Sequence, residues 1–438
     1  MCLVLLAVVR LGVRSVGWPT GRRESRASVV GRTLAELLES LGPTYVKLGQ
    51  ILSTRRDLLG EPTIRHLERL QDQLTPIDEA HVATIFREEF DTEIDDAFAS
   101  FDSTPIASAS IASVYRATLH DGRIVAVKIK RPGIGRIMHA DVRLLRIAAR
   151  FCGSLPPLRG LPMLQAVDDL GSCILRQLDF RLEATANRRL RVALAWESQI
   201  RIPKLVDEYC GASVLTMDYI EEISQREQHG PNAPAALLAS LRALYRMIFV
   251  EGLVHCDMHQ GNLHFLPNGE AALIDFGFVA ELPDVDRLKF AEFFYAMATN
   301  DGSRCAEITL ETAAFVPADL KSDEIDAAFT ELVGRSAGAR ASDFLVADFV
   351  LGVFDIQRRH GIVGSTAFTM AILSLLVFEG IARDVFPDLD FQGEAHPYIL
   401  RASIRPYKPP AKMFDSEPPS STAFGSARDR SVTNGSVT

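Results

Sequence analysis

The sequence predicts an α+β protein of two lobes, a smaller β-rich one and a larger helical one, with a helical extension in front. Three observations carry this. Apolar residues at helical spacing fill the stretch from about Arg32 to Phe101. The period then changes to strand-like runs over Ser110–Leu119 and Ile124–Ile129, parted by the hairpin signal His120-Asp121-Gly122. From Ala235 to about Ile399 helical pattern dominates, interrupted by a short hairpin turning at Asn268-Gly269.

In the extension, Leu34, Leu37, Leu38 and Leu41 fall at i, i+3, i+4 and i+7 and predict one helix face. Gly42-Pro43 breaks that helix, and a second starts near Thr44. Pro62 sits where a first helical turn tolerates it. Val82, Ile85, Phe86 and Phe90 mark a further amphipathic face. After the two strands, helical pattern runs from Asp141 to about Trp196. Arg201–Val206 and Ser213–Ile220 predict two more strands around a turn at Cys210-Gly211. An apolar helix, Ala235–Glu251, runs to Gly252, a natural stop. Ala272-Leu273-Ile274 leads into Asp275. Ser416–Thr438 is rich in Ser, Gly and Thr and reads as a disordered tail. The chain divides into a basic lead-in (1–31), the extension (32–100), the β-rich lobe (101–217), the helical lobe (218–405) and the tail (406–438).

With 438 residues, 47% of them hydrophobic, the chain can bury a large core. Its net charge of -9 argues against nucleic-acid binding. Cys2, Cys152, Cys173, Cys210, Cys256 and Cys305 form no Cys-x-x-Cys pair, which fits a reducing compartment and neither a disulfide framework nor a zinc site. Met1–Val9 is apolar, but Arg10 interrupts it well short of the ~20 residues of a membrane span. Ala367–Phe378 has the length of a buried helix. Up to Ser28 there are several Arg and only Glu24 as an acid. A basic amphipathic segment touching anionic lipid is favoured there over a signal or organelle transit peptide. The expected location is cytoplasmic and peripheral at the membrane.

The chemistry concentrates in His255-Cys256-Asp257-Met258-His259-Gln260-Gly261-Asn262 and in Asp275-Phe276-Gly277. An Asp, an Asn five residues on, and Asp-Phe-Gly one hairpin later is the layout of a kinase-type phosphoryl-transfer site. Asp257 would orient the nucleophile, and Asn262 and Asp275 would hold Mg²⁺ against the phosphates of ATP or ADP. Lys128 ends Val125-Ala126-Val127-Lys128, where alternation puts Val125, Val127 and Ile129 on one face and Lys128 on the other. A Lys there binds α/β-phosphates and pairs with a helix Glu. Glu183 is the best candidate and shares a helix face with Asp179. The bland alternatives are a surface Lys on an edge strand and a solvated acidic face. A rival reading takes the alternating His255, Asp257 and His259 as a metal-hydrolase cluster. It leaves Asn262 and Asp-Phe-Gly unexplained, so both His residues are read as loop anchors.

No Gly-x-x-x-x-Gly-Lys-Ser/Thr loop exists, and no Gly-x-Gly-x-x-Gly precedes Lys128; Gly133-Ile134-Gly135 follows it and is a decoy. A lid of small residues stands in that place, with Ala107, Ser108, Ala109 and Ser110 as candidates for nucleotide contact. They allow close approach to phosphates, although Cβ atoms restrict φ > 0. Cys256 replaces the Arg of His-Arg-Asp, Phe278–Pro283 is very short, and no Ala-Pro-Glu follows. A platform for a peptide substrate is hard to find, which weakens the case for a protein kinase.

The segment Leu41–Arg55, containing Lys47-Leu48-Gly49-Gln50, resembles the Lys-x-Gly-Gln signature of the UbiB/AarF/ADCK atypical kinases. The Ala/Ser-rich lid, Val-Ala-Val-Lys-Ile-Lys-Arg-Pro-Gly, Leu215–Ile220 and the Asp257 loop match in order, from about Gly31 to Pro387. The resemblance implies a protein-kinase-like two-lobed fold whose extension packs over the active site. It implies that Lys47 and Gln50 enter the nucleotide cleft, with Met217, Tyr219 and Asp179 among the residues around it. It also implies an ATPase or small-molecule kinase serving isoprenoid quinone biosynthesis or membrane lipid homeostasis, with a lipid or quinone precursor and biosynthetic-complex partners. The family's Glu-x-Asp pair is Gln177-x-Asp179 here, which predicts a looser extension, because a hydrogen bond to a carboxylate is about twice as strong as a neutral one. Ser113 stands where relatives often have Gln. The C-terminal membrane helices of some relatives are not expected here, and peripheral attachment is expected instead. The alternative is a non-catalytic nucleotide- and lipid-binding scaffold, which need not keep Lys128, Glu183, Asp257, Asn262 and Asp275 together. An antibiotic-phosphotransferase type shares the Asp/Asn layout but not the Lys47–Gln50 motif.

Overall fold

The extension predicted from the leucine spacing folds as two helices, Arg26–Leu41 and Pro43–Thr54, joined to a third, Glu61–Leu67. This computed structural model describes residues 26–54, 59, 61–67, 69–70, 77–154, 163–225, 229–259, 261–337 and 346–404. Most of the basic lead-in and the whole tail lie outside the described residues. Gly42 turns the chain between the first two helices with φ 105°, a conformation L side chains avoid. Leu38, Leu67 and Leu70 are buried between the helices. Gly49 is a packing requirement: a Cβ there would lie 2.2 Å from Leu70 Cδ1 and 2.9 Å from Leu38 Cδ1. The helix Glu79–Phe90 starts at Asp78, whose carboxylate accepts the Ala80 N–H, and buries Val82 and Phe86.

The β-rich lobe contains β1 (Ser100–Phe101), β2 (Ala107–Ser108), β3 (Ala112–Thr118) and β4 (Ile124–Lys130). Further along come β5 (Ile200–Arg201), β6 (Leu205–Cys210) and β7 (Val214–Asp218). One antiparallel sheet runs β1-β3-β4-β7-β6, with β2 also on β3. Val125, Val127 and Ile129 are fully buried on one face. Lys128 lies on the other, opposite Val114 on β3 and Leu215 on β7. The predicted strand Arg201–Val206 is two strands. Pro203 supplies no N–H to a ladder, so β5 pairs with the second lobe and β6 starts at Leu205.

Helix formation after β4 begins earlier than expected. Ile134–Ser154 starts just after Pro132-Gly133, because Ile134 and Met138 already supply its buried face. Met163–Arg176 and Phe180–Ala193 follow.

In the second lobe, Ala233–Tyr245 continues through a wider turn, Arg246–Glu251, to Gly252 at φ 63°. Next come β8 (Leu253–His255), β9 (Leu263–Phe265), β10 (Ala271–Leu273) and β11 (Val279–Glu281). β9 and β10 form the predicted hairpin, β10 pairs with β5, and β8 pairs with β11. The core behind them is aromatic: Phe249, Phe290, Phe293 and Phe368 make ring contacts at 4.8–5.8 Å. Two helical segments among the described residues, Ala233–Glu251 and Thr366–Val385, are long and apolar enough to cross a membrane, and most of each is buried inside the protein as in a core helix. Ser374 on the second donates to the His255 carbonyl at 3.2 Å, which ties this helix to the Asp257 loop.

Candidate nucleotide site

Three of the predicted side chains meet directly. Lys128 Nζ donates to both oxygens of Glu183 at 2.9 Å and to Asp275 Oδ2 at 2.9 Å. β4 aims Lys128 into the site, the helix starting at Phe180 supplies Glu183, and the segment after β10 supplies Asp275. The Glu183 side chain is 4% exposed. Burial would lower the Lys128 pKa, but Asp275 and Glu183 outweigh it and hold the ammonium above its ordinary range. Burial likewise pushes Asp275 up, yet Lys128 and the Gly277 N–H, at 2.8 Å from Oδ1, keep it well below the usual carboxylate range. For Glu183 burial wins over Lys128, with Asp275 adding to it, and the carboxyl is pushed up to about 7.

These shifts give a pH prediction. A raised folded-state value means that the Glu183 contribution to stability is complete below its ordinary value of 4.5 and is lost as pH rises towards about 7. Asp275 acts in reverse, contributing above its ordinary range and losing that contribution in acid. Glu183→Gln should therefore remove a decline in stability across the Glu183 window. Denaturant unfolding of both proteins at about pH 5 and about pH 7.5 checks this: the stability difference between them should shift with pH, and a constant difference would exclude it.

The Asp257 loop is set by His255. Its ring is buried, with Nε2 at 2.6 Å from the Asp275 carbonyl and Nδ1 at 3.3 Å from the Asp257 N–H. The amide can only donate, so Nδ1 accepts and Nε2 carries the proton to the carbonyl. Burial lowers the His255 pKa and favours this neutral form. Asn262 Nδ2 donates to the Asp257 carbonyl at 2.9 Å and to Asp257 Oδ2 at 3.2 Å. His259 Nδ1 accepts from the Gly261 N–H at 2.9 Å. Both His rings thus anchor the loop. Among the described residues no group of three or more His, Cys, Asp or Glu forms a metal cluster.

The residues fit a Mg²⁺-nucleotide. Asn262 uses only its Nδ2 in these bonds, and its amide oxygen, like the Asp275 carboxylate, is a hard oxygen donor of the type Mg²⁺ prefers and would be suited to hold it. Gly277 keeps the ground beside them open, since a Cβ there would lie 3.1 Å from Asp275 Oδ1 and 3.4 Å from Glu183 Oε2.

The remaining candidates sit as follows. Lys47 is near enough that its charge helps to lower Asp275. Gln50 Nε2 donates to the Leu70 carbonyl at 3.4 Å, within the extension. Asp179 caps the Glu183 helix and is chelated by Arg181 at 2.8 and 2.6 Å; no hydrogen bond or ion pair joins it to Lys47 among the described residues. Gln177 donates to the Cys173 carbonyl at 3.4 Å. Met217 shares the Lys128 face of the sheet, opposite Ala126, and the Tyr219 N–H donates to the Ile124 carbonyl at 3.0 Å. In the lid, Ala107 and Ser108 form β2, Ala109 is exposed and Ser110 is buried.

Two basic residues beside Lys128, not singled out from the sequence, also shape the site. Arg131 clamps the lid, with Nε at 2.7 Å from the Ala109 carbonyl and Nη2 at 2.7 Å from Ser108 Oγ, which also contacts Ser113 Oγ at 2.8 Å. Lys130 donates to the carbonyls of Leu178 and Ala212 at 2.9 and 3.0 Å, joining the sheet to the start of the Glu183 helix. Their signal was the run Lys-Ile-Lys-Arg itself, read only for its first member. An ion pair between Arg189 and Glu281 holds the same helix against β11.

The profile of the ABC1 atypical kinase-like domain matches residues 69–309. The chain belongs to the ABC1 atypical kinase-like family. Among curated relatives, a protein described as probable protein kinase UbiB from Aeromonas hydrophila subsp. hydrophila is 31% identical over 401 residues, covering 89% of this chain and 73% of that protein. Among solved structures, a protein from Mycobacterium tuberculosis in complex with erythromycin is similar at 24% identity and a TM-score of 0.48, covering 80% of this chain and 94% of that one. Membership of the ABC1 family agrees with the α+β, kinase-like architecture described above.

Proposed function

We propose that this ABC1-family protein binds Mg²⁺-ATP and hydrolyses it or transfers its γ-phosphoryl group to a small molecule, in support of isoprenoid quinone biosynthesis or membrane lipid homeostasis. The observation that carries the reading is the Lys128–Glu183–Asp275 cluster, three charges from distant stretches meeting at 2.9 Å. Lys128 would hold the α/β-phosphates, with Glu183 fixing its position. Asn262 and Asp275 would hold Mg²⁺, which when bound neutralises phosphate charge and orients the γ-phosphoryl group. Asp257 would orient the attacking hydroxyl or water. Ala107 to Ser110 would border the phosphates, and Met217 and Tyr219 the base. On this reading the extension, residues 32–100, contributes Lys47 to the cleft, and 101–217 and 218–405 are the two lobes. On this reading Lys47, whose charge already acts on Asp275, would stand where a protein kinase admits a peptide, and the acceptor would be small or water.

The quinone assignment rests on similarity to the UbiB relative. Its test is quinone and lipid profiling of cells lacking the protein, complemented with native protein or with Asp275→Asn. Native protein should restore the profile and the variant should not. Equal restoration by both would favour a non-catalytic scaffold.

A further inference from the structure

The start of the Glu183 helix is gripped from separate stretches of chain. Lys130 follows Lys128 by two residues on β4 and so points to the same face of the sheet. Its ammonium donates to the carbonyls of Leu178 and Ala212, at 2.9 and 3.0 Å. The Ala212 carbonyl also accepts the N–H of Phe180, the first residue of the helix, at 3.2 Å. From the extension, Glu89 on the helix Glu79–Phe90 accepts the Ala212 N–H at 2.5 Å. Gly211 makes room for that carboxylate, since a Cβ there would lie 2.1 Å from Glu89 Oε1. Ala212 is thus held on both sides by a charged group, and such hydrogen bonds are about twice as strong as neutral ones. Burial lowers the Lys130 pKa, while Glu89 and Asp179 act against it.

Packing alone does not call for this clamp, because Phe180, Ala184 and Leu190 already bury one face of the helix. What the clamp adds is the position of the helix start, about one turn before Glu183 meets Lys128. Protein kinases use a phosphorylated activation loop to control where the equivalent helix lies. Here Cys256 replaces the Arg that would meet such a phosphate, and Phe278–Pro283 is short. We propose that Glu89 and Lys130 are positioning residues that hold the Glu183 helix in its Lys128-paired arrangement, so that no phosphorylated loop is needed to assemble the nucleotide site. The inference rests on the catalytic reading above and deepens it by naming what keeps the site assembled. It also gives the extension a second task besides placing Lys47, since Glu89 belongs to it.

Steady-state ATP turnover of Lys130→Met and Glu89→Ala, each alone and combined with Glu183→Gln, tests the proposal. Lys130→Met should lower kcat about tenfold and leave KM within about threefold, because it reduces the fraction of molecules with the pair assembled and spares the nucleotide contacts. Glu89→Ala should lower kcat about threefold by the same route. In the Glu183→Gln background neither change should cost more than about a further twofold, because residues acting through one another are not additive. A general loss of stability would instead lower kcat alike in both backgrounds, and that result would overturn the proposal. Native kcat in either single variant would overturn the role of that residue. Phosphatase treatment of native protein should leave kcat unchanged, and a fall would overturn the claim that no phosphorylated loop is needed. Should Lys130→Met not fold, Glu89→Ala carries the same comparison. Hydrogen exchange of the amides of Leu182–Asn187 does not depend on turnover and separates this outcome from failure of the catalytic reading. Those amides should exchange several-fold faster in the clamp variants, and rates equal to native would overturn the clamp even in a protein that hydrolyses no ATP.

Discussion

Asp257→Asn is expected to lower ATP turnover about a thousandfold, the middle of the range for losing a general base, with the fold and nucleotide affinity retained. The expectation follows from how the loop is held. The Asp257 amide is fixed by His255 and its carbonyl by Asn262, and neither bond needs the carboxylate. An Asn of the same shape changes only the two contacts of the carboxylate, Oδ2 with the Asn262 amide at 3.2 Å and Oδ1 with His259 Nε2 at 3.5 Å. Steady-state hydrolysis and thermal shift with Mg²⁺-nucleotide, run side by side, separate chemistry from binding. A variant within twofold of native turnover would remove Asp257 from the mechanism.

Lys128→Ala should be the most damaging change for stability and should lower activity as well. It leaves Glu183 and Asp275 facing one another without their shared cation. Removing one partner of a buried pair costs about 3–5 kcal/mol. The low end applies here, because Glu183 is already raised to about 7 and can take up a proton near neutrality, and because Asp275 is 39% exposed and part of its charge is met by solvent. Turnover should fall at least about a hundredfold, since the cation meant for the phosphates is gone. Lys128→Met, which keeps apolar packing near Phe180, should recover part of the stability and none of the turnover. Equal stability of native and Lys128→Ala proteins in denaturant unfolding would mean that the ion triad does not hold the lobes' segments together.

Much of this arrangement was legible in the residues. The leucine spacing at 34–41, the Gly42-Pro43 break, the alternation around Lys128 and the hairpin at Asn268-Gly269 each have one strong local reading, and each element is present. The loop-anchoring role of His255 and His259 also stands in the geometry. What was missed depends on contacts between distant segments. β11 is three residues long and exists because β8 pairs with it. The strand at Arg201–Val206 divides because β10 recruits β5. Lys130 and Arg131 lie two and three residues past Lys128, and no periodicity distinguishes a solvated cation from one that clamps a carbonyl across the sheet. Asp179 is instructive in the other direction. The resemblance counted it among the residues around the nucleotide cleft, whereas its position just before Phe180 makes it a helix cap chelated by Arg181.

The central claim is that Lys128, Glu183, Asp257, Asn262 and Asp275 surround one Mg²⁺-nucleotide. Isothermal titration of ATP into native protein and Asp275→Asn, each with and without Mg²⁺, tests it most directly. Native protein should bind ATP at least tenfold more tightly with Mg²⁺ than without, and Asp275→Asn should lose that difference. Affinity that is indifferent to Mg²⁺ in both proteins, or absent from the native one, would contradict the account.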